Sequence, residues 1–228
     1  MPPTGPDALH LWHLLTRLGE AQILLPAALL LAWVLVRRLD ARPLALRWLA
    51  LLGAAVLVTT ATKVAFIGWG IGWAELNFTG ISGHAMLAAS VYPLLLGALA
   101  SRAPRAGRQF AVAAGCALAL LVGMSRLVLG AHSLSEVLAG LLLGSAVSAA
   151  ALGLIQIPQG LIGPAVPAVI ALWLALTPAH APASQTHSAV TRLSLLLSGH
   201  AKPYTRSEML REYRRRQTTP REPRTGTS

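Results

Sequence analysis

Long apolar segments follow one another along this chain and favour a bundle of membrane helices over any other fold. Several of them approach or exceed the roughly 18–20 apolar residues that cross a bilayer as a helix. Their approximate bounds are 20–36, 45–67, 83–100, 109–128, 134–156 and 161–177. Because 54% of the residues are hydrophobic and only 12% are charged, an ordinary soluble domain is excluded. The sequence predicts an all-α, polytopic bundle of about six transmembrane helices.

The two ends of the chain differ from this apolar middle. Residues 1–19 contain ALHLWHLLTRL, which is typical of an interfacial amphipathic helix, and residues 20–177 form the predicted membrane domain. Residues 178–228 carry nine Lys/Arg against three acids and are rich in polar residues, alanine and proline. They predict a basic, flexible tail with one short amphipathic piece near 188–198.

Charged residues are rare in the apolar region and fall into two groups. Between Trp48 and Thr177 there are seven, namely Lys63, Glu75, Arg102, Arg105, Arg108, Arg126 and Glu136. The three arginines of SRAPRAGR, with four more at Arg37, Arg38, Arg42 and Arg47, predict the cytoplasmic face by the positive-inside rule. The other four charges then lie near the opposite face, as do the two histidines of this region, His84 and His132. Ionisable groups at membrane depth are costly and are functional candidates by default.

The stretch GMSRLVLGAHSLSEVLAG places His132 and Glu136 four residues apart. This spacing puts both side chains on one helical face if the fifth span begins near His132. Glu136 would then accept a hydrogen bond from the imidazole, fix its tautomer and leave the other ring nitrogen free to attack an electrophile. His132 is therefore the candidate nucleophile.

The remaining polar residues at this face suit a phosphoryl group. Lys63 and Arg126 are fixed cations that complement the charge on phosphate oxygens. Ser82 and Gly83 begin the third span, where free backbone amides and the helix dipole favour an anion. His84 follows directly and is placed to protonate a leaving oxygen. The residues together predict a phosphate site at the outer face of the bundle.

These residues resemble the type 2 phosphatidic acid phosphatase family, which shares a four-helix core with the vanadium haloperoxidases. The family motifs are K-x6-R-P, P-S-G-H and S-R-x5-H-x3-D. Ile81-Ser82-Gly83-His84 matches the second motif, and Ser125-Arg126, His132 and Glu136 match the third. The first motif is only partly present, because Lys63 matches but Gly70 and Ile71 stand at its arginine and proline positions. The resemblance covers about residues 45–157.

The resemblance implies a role for each matching residue. His132 would form a phosphohistidine, Glu136 would replace the usual aspartate that orients it, and His84 would be the general acid. Phosphate oxygens would be bound by Lys63, Ser82, Gly83 and Arg126. The family needs neither a metal nor another cofactor for hydrolysis, and many bacterial members act on lipid phosphates or polyprenyl diphosphates.

The resulting hypothesis is a multi-pass phosphatase of the inner (plasma) membrane whose substrate is a membrane lipid and whose site faces the periplasm or exterior. The absent arginine leaves open a pseudo-enzyme that only binds a lipid phosphate, and a lipid carrier or assembly scaffold is a further alternative. Lys63 alone is compatible with snorkelling to the interface, and Arg126 with a structural ion pair to Glu136. Nucleic acid is not expected as a partner, and the oligomeric state is left open.

Two features of the tail complete the sequence reading. Ser198-Gly199-His200 repeats the SGH triplet but precedes AKPYTR instead of an apolar helix, so no catalytic role is expected for it. Six spans with an exterior site place the C-terminus outside, whereas the basic composition of 178–228 favours the cytoplasm. A disordered charged end, or one resting on anionic lipid, is compatible with the same composition.

Overall fold

The computed structural model describes residues 6–154, 163, 165–180 and 186–218. The helices within these residues are α1 (Pro6–Arg17), α2 (Ala21–Val36), α3 (Arg42–Trp69), α4 (Gly83–Leu99), α5 (Arg105–Val128), α6 (Leu134–Leu154), α7 (Ala165–His180), α8 (Thr186–Ser198) and α9 (Arg206–Thr218). In this part of the chain the only β pairing is an isolated bridge between Trp73 and Phe78. The predicted all-α class is confirmed.

Each of the six predicted spans overlaps one helix, from α2 to α7, and residues 155–156, 161–162 and 164 of the last two spans lie outside the described residues. By length and composition, three described helices qualify to cross a membrane, namely α3, α5 and α6. A fourth span results if α1 and α2, which meet at a bend of 41°, count as one. Helix α4 is apolar but shorter, and the total of six spans stays a prediction.

Helix α4 lies at the centre of the bundle. It packs most extensively against α5 and α6 and also contacts α2 and α3. Most of its residues are buried on every side, which is why its sequence is apolar all round instead of amphipathic. Trp48 of α3 is fully buried against it and donates a hydrogen bond from Nε1 to the Ser90 carbonyl oxygen at 2.9 Å.

Glycines allow the neighbouring helices to approach α4 closely. A Cβ added to Gly115 of α5 would lie 2.6 Å from the Tyr92 carbonyl oxygen. One added to Gly140 of α6 would lie 2.6 Å from the Ser82 carbonyl oxygen, and one at Gly144 would overlap the Met86 carbonyl oxygen. This close packing fixes the start of α4 against the start of α6.

The alternating direction of the core helices divides the bundle into two ends. The C-termini of α3 and α5 lie with the N-termini of α4 and α6 at one end, which holds the motif residues and is called the motif end below. The arginines at 37–47 and 102–108 flank the opposite ends of these helices. The two charge groups inferred from the sequence are therefore separated by the length of the bundle.

The described part of the tail contains two helices, α8 and α9, which pack on the bundle, and the flexibility expected for 178–228 stays a prediction. Helix α8 packs along α3, where Ser194 is fully buried and its carbonyl oxygen lies 3.3 Å from a Cβ built on Gly68. Met209 of α9 is also buried. Polar composition alone does not reveal that these few small and apolar residues meet a groove at the end of α3. The predicted amphipathic piece near 188–198 corresponds to α8.

Candidate active site

A cavity of about 650 Å³ opens at the motif end of the bundle. Of the seven residues predicted for the site, five line it, namely Lys63, Gly83, His84, Arg126 and His132. Ser82 and Glu136 are fully buried and do not line it. The five lining residues come from α3, α4, α5 and the loop before α6, so the structure brings them together around one cavity.

His132 and Glu136 form a hydrogen-bonded pair beside this cavity. His132 lies in the loop before α6, and its Nδ1 is 2.8 Å from Glu136 Oε2. An ionised carboxylate only accepts hydrogen bonds, so this contact assigns the proton to Nδ1 and leaves Nε2 as the unprotonated nitrogen. The i,i+4 spacing of the sequence therefore leads to the contact expected for an oriented imidazole.

Glu136 also caps the helix that carries it. The Ser133 amide donates to Glu136 Oε2 at 3.0 Å, and the Glu136 amide lies 3.4 Å from Ser133 Oγ. This is the capping box of an S-x-x-E sequence, here Ser133 to Glu136. On the other carboxylate oxygen, Oε1, the Thr79 amide donates at 2.8 Å and Thr79 Oγ1 at 2.5 Å. Both carboxylate oxygens of Glu136 are therefore hydrogen-bonded to protein groups.

Burial lowers the pKa of the His132 imidazole from its usual value. The hydrogen bond to Glu136 acts in the opposite direction, and the nearby positive charges of Lys63 and Arg126 lower the pKa further. The neutral form is the one with a free nitrogen lone pair. The surroundings of His132 therefore favour the protonation state that a nucleophile needs.

The start of α4 lies across the cavity from this pair. The Ser82 amide donates to the Glu136 carbonyl oxygen at 3.1 Å, which ties the start of α4 to α6. Ser82 Oγ is buried without a hydrogen-bond partner and does not cap the helix. A Cβ added to Gly83 would lie 3.7 Å from Lys63 Nζ, so the ammonium group sits beside the first turn of α4. This position at the cavity differs from a lysine that simply snorkels to the interface.

Arg126 contacts the N-terminal helix and not Glu136. Its Nη1 donates to Thr16 Oγ1 of α1 at 2.7 Å, while its Nε is buried without a partner. Glu20, in the turn between α1 and α2, lines the same cavity. The structure therefore shows no Arg126–Glu136 ion pair among the described residues, and the buried Nε of Arg126 has no hydrogen-bond partner.

The ion-pair partner of Glu136 is Arg206, which the sequence reading missed. Arg206 Nη2 lies 2.8 Å from Oε1 and 2.7 Å from Oε2 of Glu136, and Arg206 lines the cavity. The local sequence does contain a helix-start signal, since Thr205 and Glu208 form a second capping box with the Thr205 amide 2.7 Å from Glu208 Oε2. That signal predicts where α9 begins, but not where it docks.

The tail also covers the position at which the first motif departs from its family pattern. Gly70 ends α3 with a left-handed φ of 70°, and the Tyr204 ring lies against it. The Tyr204 amide donates to the Ile67 carbonyl oxygen at 2.9 Å. Of the second SGH triplet, His200 Nδ1 lies 2.7 Å from the Gly68 carbonyl oxygen, and none of the three residues lines the cavity. The triplet has a docking contact and no place in the site.

The described residues contain no group of three or more His, Cys, Asp or Glu side chains placed to hold a metal ion. The charged and titratable residues that line the cavity are mainly cations and imidazoles, with Glu20 as the one carboxylate among the described lining residues. This donor set suits an anionic ligand.

Comparison with known proteins supports the family resemblance. A family model described as PAP2 superfamily matches residues 61–157, which include every predicted site residue. A Klebsiella pneumoniae protein, described as an uncharacterized 22.5 kDa protein in the cps region, is 47% identical over 138 residues, which cover 60% of this chain and 66% of that protein. The matched region therefore spans just under two thirds of that relative. No solved structure gives a significant match. Residues 61–157, which carry the second and third motifs around one cavity, match the PAP2 superfamily, and this match confirms the resemblance to type 2 phosphatidic acid phosphatases.

Proposed function

We propose that this protein is a membrane-embedded phosphatase that hydrolyses a lipid phosphate or a polyprenyl diphosphate through a phosphohistidine. The observation that carries the proposal is the 2.8 Å contact between His132 Nδ1 and the buried Glu136, beside a cavity that also presents Lys63 and Arg126. An oriented imidazole next to two cations is an arrangement suited to phosphoryl transfer. The family match supports the phosphatase class.

In the first step, His132 Nε2 attacks phosphorus and the bond from phosphorus to the leaving oxygen breaks. His84, at the first turn of α4, gives a proton to that oxygen, so the leaving group departs as an alcohol or, from a diphosphate, as a protonated phosphate. Lys63, Arg126 and the first-turn amides of α4 hold the phosphate oxygens. Water then attacks the phosphohistidine, His84 accepts its proton, and the phosphorus–nitrogen bond breaks.

The surroundings of the cavity favour a lipid as the substrate. Phe66, Ile67 and Leu87 line it together with the polar groups, and the helices around it are apolar enough for a bilayer. A phosphate carried on an apolar chain matches this mixed lining. The metal-independent character implied by the family agrees with a site whose positive charge comes from side chains.

The proposed location is the inner membrane with the site facing the exterior. The basic loops at 37–47 and 102–108 lie at the opposite end of the bundle, which supports a cytoplasmic position for them. The structure also places the basic helix α9 at the motif end, so a second group of positive charges lies on the site face. We give the arginines between the spans more weight than those of α9, because the positive-inside rule applies to short loops near the ends of the spans.

Phosphate release from purified protein tests the function. Wild type is expected to release phosphate from at least one of phosphatidic acid, lysophosphatidic acid, a polyprenyl phosphate and a polyprenyl diphosphate. His132→Ala and His84→Ala should each lose at least about 100-fold in kcat, since each removes a group of the reaction itself. His13→Ala, a change at an exposed histidine away from the cavity, is the matched control.

A second readout addresses the intermediate. Wild type mixed with a 32P-labelled substrate and quenched should carry an acid-labile, alkali-stable label that His132→Ala lacks. If wild type releases nothing from the whole panel, or if both histidine variants match it, the proposed reaction is wrong. Binding of lipid phosphate without release would instead support the pseudo-enzyme, which the absent arginine at Gly70 favours.

A further inference from the structure

The Glu136 carboxylate depends on a cation that comes from outside the motif region. Its side chain is fully buried, and its charged partner is Arg206, which is itself about one third exposed at 33%. A buried carboxylate without a cation or enough donors is strongly destabilised. Neither Lys63 nor Arg126 forms a hydrogen bond or ion pair with Glu136 in the described structure, so Arg206 provides this partner.

The guanidinium of Arg206 is engaged through both terminal nitrogens. Nη2 contacts both oxygens of Glu136 and lies 3.2 Å from Thr79 Oγ1, while Nη1 lies 3.2 Å from Asn77 Oδ1. The Arg206 guanidinium therefore bridges the Glu136 carboxylate and the loop before α4, which contains Asn77 and Thr79. A lysine ammonium can supply the charge but not this planar arrangement.

Three contacts fix the chain just before Arg206. The His200 ring and the Tyr204 amide bond to the carbonyl oxygens of Gly68 and Ile67, at 2.7 and 2.9 Å. The Phe66 and Tyr204 rings pack edge to face with centroids 5.5 Å apart. The Thr205 capping box then starts α9 at Arg206 itself. The segment that carries Arg206 is therefore anchored to the end of α3.

We propose that Arg206 is a positioning residue for the phosphatase site, which holds Glu136 so that His132 keeps its proton on Nδ1 and directs Nε2 at the substrate. The expected effect of Arg206 on catalysis rests on the proposed function, whereas its expected effect on the position of the His132 proton does not. Because both terminal nitrogens are already used by protein groups, Arg206 acts through Glu136 and is not a substitute phosphate ligand for the arginine absent at Gly70.

Kinetics of Arg206→Ala provide the first test. We expect kcat to fall by about 10- to 100-fold with little change in KM, because the nucleophile is misplaced while the phosphate-binding cations remain. Arg206→Lys should recover part of this loss. Arg211→Ala, at an exposed arginine of the same helix, is the matched control and should retain wild-type values. A raised KM and weaker inhibition by inorganic phosphate, with kcat unchanged, would overturn the proposal in favour of substrate binding.

The pH profile separates positioning from simple loss of structure. The charged and titratable residues that line the cavity with His132 are Glu20 from the turn before α2, Lys63 from α3, His84 from α4, Arg126 from α5, His187 from α8, Tyr204 from the segment before α9 and Arg206 from α9. Glu136 from α6 contacts His132 directly. Removing Arg206 takes away one positive charge, which makes His132 easier to protonate and raises its pKa. The acid limb of kcat/KM should therefore move to higher pH in Arg206→Ala and stay in place in Arg206→Lys. An unmoved limb in Arg206→Ala contradicts the proposal.

Histidine NMR tests the same arrangement without turnover. In 15N-histidine-labelled protein, the His132 signal, assigned by its loss in His132→Gln, should report the Nδ1-protonated tautomer in wild type and a mixture in Arg206→Ala. If wild type proves inactive on every lipid, this result still decides the role of Arg206. An unchanged tautomer and titration midpoint in folded Arg206→Ala would exclude it, whatever the activity.

Discussion

The ring of Tyr204 covers Gly70, so closely that a Cβ built on Gly70 would lie 3.1 Å from Tyr204 Cε1. Gly70 is also the left-handed residue that ends α3, with its amide bonded to the Phe66 carbonyl oxygen at 2.8 Å. The position at which the family pattern has an arginine is therefore a helix end closed by the tail. A long side chain has neither the backbone conformation nor the space there.

Restoring the arginine at this position should harm the protein instead of improving it. A non-glycine residue in the left-handed region costs about 1–2 kcal/mol, and Tyr204 would also have to move. We expect Gly70→Arg to lower the thermal unfolding temperature and not to raise kcat. Gly53→Ala, in the same helix with nothing within 4 Å of the added Cβ, should leave the unfolding temperature unchanged or higher. A more active and equally stable Gly70→Arg would show that the covered helix end is not a constraint.

Much of the architecture follows from local pattern. The six apolar segments each contain a helix, because a single apolar segment in a membrane can pair its backbone N–H and C=O groups internally only as a helix. The His132–Glu136 contact follows from four-residue spacing at a helix start. Both inferences need only neighbours in sequence, which explains why they can be made without the fold.

The part of the site that sequence could not supply is tertiary. Arg206 is 70 residues from Glu136, in a polar segment with the composition of a disordered tail. Its docking depends on a groove beside α3 that exists only after α3 and the loop before α4 are packed. Ser82 is the opposite case. Its place in the motif predicts a side chain at the cavity, but the side chain is fully buried and does not line the cavity.

The close approach of α6 to α4 should control the placement of His84. In Gly140→Ala the new methyl group would meet the Ser82 carbonyl oxygen at 2.6 Å, so the start of α4 has to shift. We expect a loss of about 1–3 kcal/mol in stability, as for other overpacked interiors, and a reduced kcat. Gly153→Ala, in the same helix and with open space around its Cβ, should be neutral or stabilising. Equal effects of the two changes would refute this account of α4.

Protonation of His132 should destabilise the protein in acid. Burial lowers its pKa below the value of about 6.5 found in unfolded chains, so the unfolded state binds the extra proton more readily. The contribution is absent above pH 6.5 and grows as pH falls from 6.5 towards the folded-state pKa, at no more than about 1.4 kcal/mol per pH unit. Thermal unfolding of wild type and His132→Gln across this range measures the difference. Parallel curves would mean that the pKa of His132 is not lowered.

The docking of α9 predicts the side on which the tail lies. In a Cys116→Ser background, single cysteines at Leu76 and Ala201 should react with an impermeant maleimide from the same side of the membrane, and one at Ala106 only from the other. All three positions are exposed, and none of the changes alters a charge. We expect the first pair to react from outside intact cells. Labelling of Leu76 and Ala201 from opposite sides would contradict the docked tail, and labelling of both from the cytoplasm would reverse the proposed orientation.

The pairing of Glu136 with Arg206 also sets an order of events during synthesis. The ribosome makes the carboxylate 70 residues before its cation, and the rest of α6, α7 and α8 lie between them. Over that interval the carboxylate has His132, Ser133 and Thr79 as hydrogen-bond partners but no guanidinium partner. A chain released before Arg206 would therefore keep a buried Glu136 without its ion pair.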